Sequence, residues 1–467
     1  MPSMVRKIYT ILNRVSPTLA AIGAGWYSTI MGVRFDDLKR FFVSKQNSHS
    51  NIVSITRTLK IIENSQSQSR LAFVSPMPPA DTGIASCSYY TFKGGEENID
   101  IFFPPFSDED FLLMTKLIGD KIRILDSSLL LYANEIIDYK KIIIAIGNSH
   151  HHFYLHSIFN KIKFLNIQNK CVLYIHDPYL NNFFQNGLHL SNSEYVEFLT
   201  PIYKLKNKTV AELITQSTKW GLHKKLNELN ISGIKLLIEL GFYEFLVNSE
   251  AAKSIIKSDC NDDKISIKKI FHPIFNASDI YNESLFKNTT QIKYIQNEKK
   301  YILIGTFGIP SYAKCTEIII EAISELHKYH LPTYLLIAGY GVNKFFINNP
   351  GLMKKFIINI DSPSDASLNK FMHEVDIAVQ LRQTHQGESS GVVPQLLAAK
   401  KKVICSPLGS FLEFGDAVSY FNGNSPIDLA KLLIEIIKSP INLKNINNYC
   451  LHKSPSDFRQ AIIEYYR

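Results

Sequence analysis

Residues Gln380 to Val418 read QLRQTHQGESSGVVPQLLAAKKKVICSPLGSFLEFGDAV. The run Asp376 to Leu381 that leads into them is short and apolar, the pattern of a buried strand in a parallel sheet. A polar loop follows and ends in Glu388, Ser389 and Ser390. A helix is expected from about Gly391, with Pro394 in its first turn, where a missing N–H costs little. Ser389 or Ser390 is placed to cap it, leaving further N–H groups free at its positive end. Strand, loop and helix start together make a place to hold a phosphate or diphosphate. A second strand, Lys402 to Ser406, runs into a loop that holds Gly409 and Glu413. A carboxylate beside an anion cradle, at the carboxyl end of a parallel strand, is where open α/β sheets bind ligands.

Taken together, Leu381-Arg382, Gly387-Glu388-Ser389-Ser390-Gly391 and Gly409-Ser410-Phe411-Leu412-Glu413 resemble a known signature. It is the donor site of the retaining, nucleotide-sugar-dependent glycosyltransferases with the GT-B fold, the group 1 glycosyl transferases. The matching branch reads LR-x-x-x-x-GE-x-S-G. The resemblance covers about residues 70 to 465. It implies an α/β protein of two Rossmann-like domains, with parallel sheets facing across a cleft, preceded by an N-terminal extension.

Composition fits that outline. A chain of 467 residues is long enough for two or three domains of roughly 100–200 residues each. Hydrophobic content of 45% supplies the cores, and 20% charged residues is ordinary for a globular protein. The net charge of +9 suits an anionic substrate or an anionic surface. No dense Lys/Arg run interleaved with aromatics appears, so nucleic acid is not an expected partner. The six cysteines are never spaced as C-x-x-C, which argues against a zinc site and a disulfide framework and for a reducing cytosol.

Residues 1–69 stand apart as an extension and linker. Pro17 to Val33 is uncharged but holds three glycines and a proline, too short and helix-poor for a span of about 20 apolar residues. An extra surface segment is the expectation there. Ser44 to Ser69, rich in Ser, Asn and Gln, reads as a linker, disordered in part.

The regular pattern opens at Arg70, with a strand to Ser75, the loop PMPPADTG and a helix from about Ile84. Gly83 at this junction marks a loop where backbone approaches something closely. The string VSPMPPADTGIASCSYY is similar to the first loop of the same branch; an ordinary βα loop is the plainer alternative. Strands follow at Ile122–Asp126, Lys141–Gly147 and Lys170–His176 in the βαβα rhythm of a parallel sheet. Two strand ends carry polar residues, Gly147-Asn148-Ser149-His150-His151-His152 and His176-Asp177. Adjacent histidines point in different directions on a strand or a helix, so no metal site is expected from the three. Both strings resemble motifs of the branch, which implies Asn148, His151, His152 and Asp177 on the acceptor side and His176 near the reacting sugar. A strand-end imidazole bonded to backbone is the alternative for His176. Leu180 to Leu229 is mostly helical, and strands at Phe245–Asn248 and Ile267–Phe271 complete a first domain at 70–275. Residues 276–299 are a linker by composition.

A second series, residues 300–445, opens with the strand Tyr301–Thr306, the loop FGIPSYAK and a helix from Thr316 to His327. A lysine close to a helix start opposes the helix dipole unless an anion binds there. The resemblance places Lys314 near the donor diphosphate, with Gly308 in the same loop. Many relatives carry an arginine earlier in that loop; none stands between Tyr301 and Lys314, which leaves Arg382 as the second positive charge. Thr333–Ala338 is the next strand, and Gly339-Tyr340-Gly341 is similar to the family's glycine turn near the nucleobase. Strands at Phe356–Ile360 and Asp376–Leu381 follow. Residues 446–467 form a last helix that crosses back onto the first domain.

For chemistry, the resemblance implies transfer of a sugar, with retention, from a nucleoside diphosphate sugar to a glycan or lipid-linked acceptor. Mannose-type donors and bacterial surface polysaccharide synthesis are the implied setting. Catalysis falls to Glu388, His176, Lys314 and Arg382. Donor contacts fall to Gly83, Gly308, Lys314, Gly339, Glu388, Ser389, Ser390, Gly391 and Glu413. No cofactor and no metal are expected beyond the sugar nucleotide: Asp108-Glu109-Asp110 spells an Asp-x-Asp metal string but reads as the acidic first turn of a helix. Location in the cytoplasm, with peripheral contact at the membrane's inner face, is the further expectation. One departure stands out: where much of the family has a second glutamate for the ribose, this chain has Leu396. That departure keeps open a second reading, a GT-B protein without catalysis that serves as a binding or assembly subunit.

Overall fold

The structure, a computed structural model, describes residues 52–65, 70–105, 107–119, 121–216, 218–275, 301–385 and 387–466. The uncharged run Pro17–Val33 and the linker at 276–299 lie outside these residues. The chain divides into two compact units, the first reaching Val247 and taking in Ala252–Lys269 and Ile462–Arg467, the second holding Asn248–Ala251 and Ile270–Ala461.

The first unit is built on seven parallel strands: β1 (Leu71–Val74), β2 (Ile99–Phe103), β3 (Arg123–Asp126), β4 (Lys141–Ile146), β5 (Cys171–Ile175), β6 (Glu244–Val247) and β7 (Ser266–Lys269). Their spatial order is β3-β2-β1-β4-β5-β6-β7. LAFV, KIIIAI and CVLYI are nearly continuous apolar runs because both faces of a parallel sheet are covered by helices. The order reverses between β1 and β4, so the loops after these two strands diverge above a crevice, where doubly wound sheets bind ligands.

An inner strand, β2, carries a charge within its buried run. The second residue of β2 is Asp100, fully buried in the middle of three strands. Arg70, just before β1, donates from Nε at 2.8 Å, and Arg123, which opens β3, donates from Nε at 2.7 Å. Arg123 also bonds Oδ2 through Nη2, and the Tyr139 hydroxyl donates to the same oxygen. A buried carboxylate is tolerable only when its lone pairs are satisfied in this way.

A helix also forms inside the stretch expected as linker. Ile52–Glu63 is helical because two later elements complete it. Asp108 accepts from the N–H groups of Val53 (3.1 Å) and Ser54 (2.9 Å) at its exposed end. Ser54 Oγ donates to Asp126 at 2.7 Å, Asp126 N–H donates to Thr58 at 2.9 Å, and Ile62 is fully buried. Asp108 therefore caps a neighbouring helix, while Ser107 caps its own through the N–H of Asp110 at 3.1 Å.

The second unit carries six parallel strands: β8 (Ile302–Phe307), β9 (Thr333–Gly339), β10 (Ile357–Asp361), β11 (Ile377–Gln380), β12 (Lys402–Cys405) and β13 (Ser419–Tyr420). Their order is β10-β9-β8-β11-β12-β13, with the reversal between β8 and β11. The stretch beginning at Gln380 leaves the sheet at that reversal. No helix among the described residues is long and apolar enough to cross a membrane.

The Asp100 cluster gives a stability prediction. Asp100→Asn leaves two guanidinium groups without a counter-charge and is expected to destabilise the first unit by about 3 kcal/mol in urea unfolding. A loss under about 1 kcal/mol would show the cluster to be dispensable.

Candidate functional site

In the second unit the site is assembled at the carboxyl ends of β8 and β11. Gly308 follows β8 directly with φ +99°, and its N–H donates to the carbonyl of Ala338 in β9 at 2.9 Å. A Cβ on Gly339 would strike the Gly308 backbone, so the two strand ends close up only with glycine at 339. A Cβ on Gly308 would stand 2.6 Å from Nζ of Lys314. The ammonium thus lies in the hollow that the missing side chain leaves.

The loop that returns Lys314 to this place is locked locally. Ser311 N–H donates to Oγ1 of Thr316 at 3.0 Å, and that hydroxyl donates back to the Ser311 carbonyl at 3.1 Å. Lys314 ends a short 3₁₀ turn, Cys315 takes φ +53°, and the helix Thr316–Lys328 begins. The loops after β8 and β11 are joined by the N–H of Gln383, which donates to the Ala313 carbonyl at 2.9 Å.

Arg382 is fixed through its backbone. Its N–H donates to Ser406 Oγ and its carbonyl accepts from the same hydroxyl, each at 2.8 Å. Its guanidinium lies over the Phe411 ring, 5.7 Å from the centroid, and Nε stands 3.7 Å from Oε1 of Glu388. The Glu388 carbonyl accepts from Ser410 Oγ at 2.6 Å. Burial pushes the Lys314 amine down to about 7, with Arg382's charge adding to the effect and Glu388 opposing it. Two cations and one carboxylate therefore meet at a strand end, with too little negative charge to balance them.

The remaining donor-side residues divide. Ser390 caps the helix Val392–Ala398, accepting from Val393 N–H at 3.2 Å. Gly391 is right-handed helical, and an added Cβ there would meet only His272 at ordinary contact distance. Glu413 accepts from the Glu250 N–H at 2.7 Å, both residues belonging to this unit, so one of its oxygens is engaged within the protein. Leu396 is fully buried in an apolar cluster with Val393 and Leu397. Ser406 and Gln383 set the geometry yet carry no motif, and a serine closing an apolar strand at 406 is the one signal that points to them; Ser410 and Phe411 lie inside the Gly409–Glu413 string.

In the first unit, Asn148, His152 and Asp177 surround Gly147 at the end of β4. A Cβ on Gly147 would come 3.0 Å from His152 Cε1 and 3.1 Å from Asp177 Oδ2. Asp177 accepts from Asn148 N–H at 2.9 Å, and the Asn148 side chain accepts from Phe183 N–H at 2.8 Å. Both residues thus brace loops. His152 is fully buried and neutral, its pKa pushed down to about 3 by burial and then by the neighbouring histidines. Its Nδ1 lies 3.3 Å from Ser149 Oγ. The rings of His150 and His151 sit 3.9 Å apart, and His176 lies with its ring 4.2 Å from that of Tyr174. Among the described residues no three His, Cys, Asp or Glu side chains converge as metal ligands do. Gly83 opens the helix Gly83–Phe92, and among the described residues nothing lies within 4 Å of an added Cβ.

No family model and no curated protein sequence matches this chain. Solved structures do. Anabaena Alr3699/HepE in complex with UDP and glucose matches at 10% identity, over 85% of this chain and 99% of that one, with a TM-score of 0.52. A glycosyltransferase from Rickettsia africae matches at 14% identity over 86% and 98%, with a TM-score of 0.55. The sucrose-phosphate synthase of Thermosynechococcus elongatus matches at 11% identity over 86% and 98%, with a TM-score of 0.54. At these identities the likeness is one of fold, and the fold is GT-B, with its two parallel α/β sheets.

The charge balance at Lys314 is open to direct measurement. Followed by NMR across pH, the Lys314 side chain is expected to titrate near 7. Arg382→Gln should move that midpoint up and Glu388→Gln should move it down, because the first removes a like charge and the second an opposite one. A midpoint near the ordinary lysine value in the unaltered protein would refute the buried placement.

Proposed function

We propose that the protein is a retaining glycosyltransferase that moves a sugar from a nucleoside diphosphate sugar to a glycan or lipid-linked acceptor, without a metal ion. The observation that carries this reading is the Lys314–Arg382–Glu388 group at the β8/β11 reversal. The hard step is departure of the diphosphate while positive charge grows on the sugar ring. Lys314 and Arg382 stabilise the leaving phosphates as fixed charges in a partly enclosed site. Glu388, beside them, takes the developing cation and hydrogen-bonds sugar hydroxyls. A diphosphate also supplies the negative charge that the empty group lacks, and so returns the proton to Lys314.

The acceptor falls to the first unit in this reading, with His151 and His176 at its polar strand ends and Asn148 and Asp177 shaping the loops. His152, buried and neutral, positions that turn. Gly339, Ser389 and Gly391 belong to the donor side in this reading. A mannose-type sugar, a surface polysaccharide as product and a cytoplasmic location at the membrane's inner face complete the proposal. A GT-B unit kept only for binding or assembly has less support. Holding Lys314 with a depressed pKa opposes its own protonation, and a scaffold gains nothing from that.

A thermal-shift panel of UDP- and GDP-sugars tests the donor class. Saturation at about 100 times the dissociation constant should stabilise by about 2.7 kcal/mol; no response to any sugar nucleotide would remove the proposal. Turnover on the responding donor is expected to survive excess EDTA, and strict dependence on manganese or magnesium would overturn the metal-free mechanism. Glu388→Gln should lower kcat roughly 10²–10³-fold with little change in donor affinity. Lys314→Ala should weaken donor binding as well, since its charge meets phosphate already present in the ground state. Unchanged turnover in Glu388→Gln would exclude the assigned role.

A further inference from the structure

The helices between β5 and β6 carry a surface to which the proposed transfer assigns no residue. Trp220 is 72% exposed. An indole is the largest apolar side chain, and one left in water at the crest of a helix calls for a reason. Residues 201–229 hold six lysines (Lys204, Lys206, Lys208, Lys219, Lys224 and Lys225), all exposed, against two glutamates, Glu212 and Glu228. Among the described residues only Lys225 has a carboxylate partner, Glu228 at 2.8 Å.

The helix geometry arranges these groups. Lys219–Glu228 buries Leu222 and Leu226 against the unit. Trp220 and Lys224, one turn apart, share the opposite face, and Lys225 adjoins them. Thr218 caps this helix through the Gly221 N–H at 3.0 Å, which fixes the start of the turn that bears the indole. The helix Asn207–Ile214 packs beside it, and Ile214 and Leu229 on the same insert are 41% and 48% exposed.

We propose that this helical face docks on an anionic lipid bilayer, with the lysines at the phosphates and the indole at the boundary between headgroups and acyl chains. Tryptophan and lysine are the pair that anchors proteins at such interfaces. A protein partner is the poorer match, because lysine is depleted where proteins meet and an aromatic anchor there sits among apolar neighbours. A nucleic acid is poorer still, since the insert has no arginine and no groove of stacked aromatics. The proposal stands apart from the assignment of the donor site and does not depend on it.

The chain has two tryptophans, so Trp26→Phe leaves Trp220 as the sole indole reporter. Its emission should shift to the blue on vesicles of phosphatidylglycerol and phosphatidylcholine, but not on phosphatidylcholine alone, and the shift should reverse at high salt. In the full-length protein, Lys224→Glu with Lys225→Glu should lower partition to anionic vesicles by about tenfold or more, with thermal unfolding unchanged. Trp220→Ala should weaken it too. Sedimentation with anionic vesicles without any change in Trp220 emission would overturn the proposal, because another segment would then be docking. Equal binding to neutral vesicles would overturn it as well. So would a polyglutamate chain that shifts the emission as far as vesicles do, which would mark the face as one for acidic proteins.

Discussion

The second unit depends on a place where the chain has no room for a Cβ. Gly339 lies against the backbone of Gly308, and Gly308 against the amine of Lys314. Because both positions lack side chains, the ends of β8 and β9 close together and leave a hollow that fits one ammonium group. The fixed Ser311–Thr316 pair delivers Lys314 to it, and the Gln383–Ala313 bond brings the β11 loop alongside. Arg382 and Glu388 then follow from the Ser406 and Ser410 hydroxyls that hold their backbones. The charged side chains are the visible part of the site, and the steric restriction beneath them is what sets their positions.

Both units use the same topological device with different fillings. Each sheet reverses its winding next to its first strand, between β1 and β4 and between β8 and β11. The second unit fills the reversal with opposed charges. The first places a buried, neutral histidine and an aspartate that accepts from the Asn148 N–H close against Gly147.

The fold was readable to within a residue or two wherever strands are unbroken apolar runs, as in KIIIAI, CVLYI and IAVQ. It was not readable at β2, because Asp100 interrupts the run and its partners Arg70, Arg123 and Tyr139 stand on other elements. The helix Ile52–Glu63 was hidden for a related reason. Its buried face includes Ser54 and Thr58, polar residues whose partner is Asp126 far along the chain. In the site, Lys314, Arg382, Glu388 and Ser390 announce themselves because charge and capping residues at strand ends have a local logic. The engagement of Glu413 by Glu250 has none, since 163 positions separate the two and only the folded chain joins them.

The burial that depresses the Lys314 pKa also bears on small anions. Near neutrality burial leaves the amine with its proton only part of the time, so the fixed positive charge at the site is chiefly that of Arg382. A ligand must be anionic enough to draw a proton from solvent before the lysine grips it fully. Adjacent phosphates can do that, and singly charged ions do so weakly. In the proposed donor site the enclosed lysine therefore favours a diphosphate over the abundant monoanions around it.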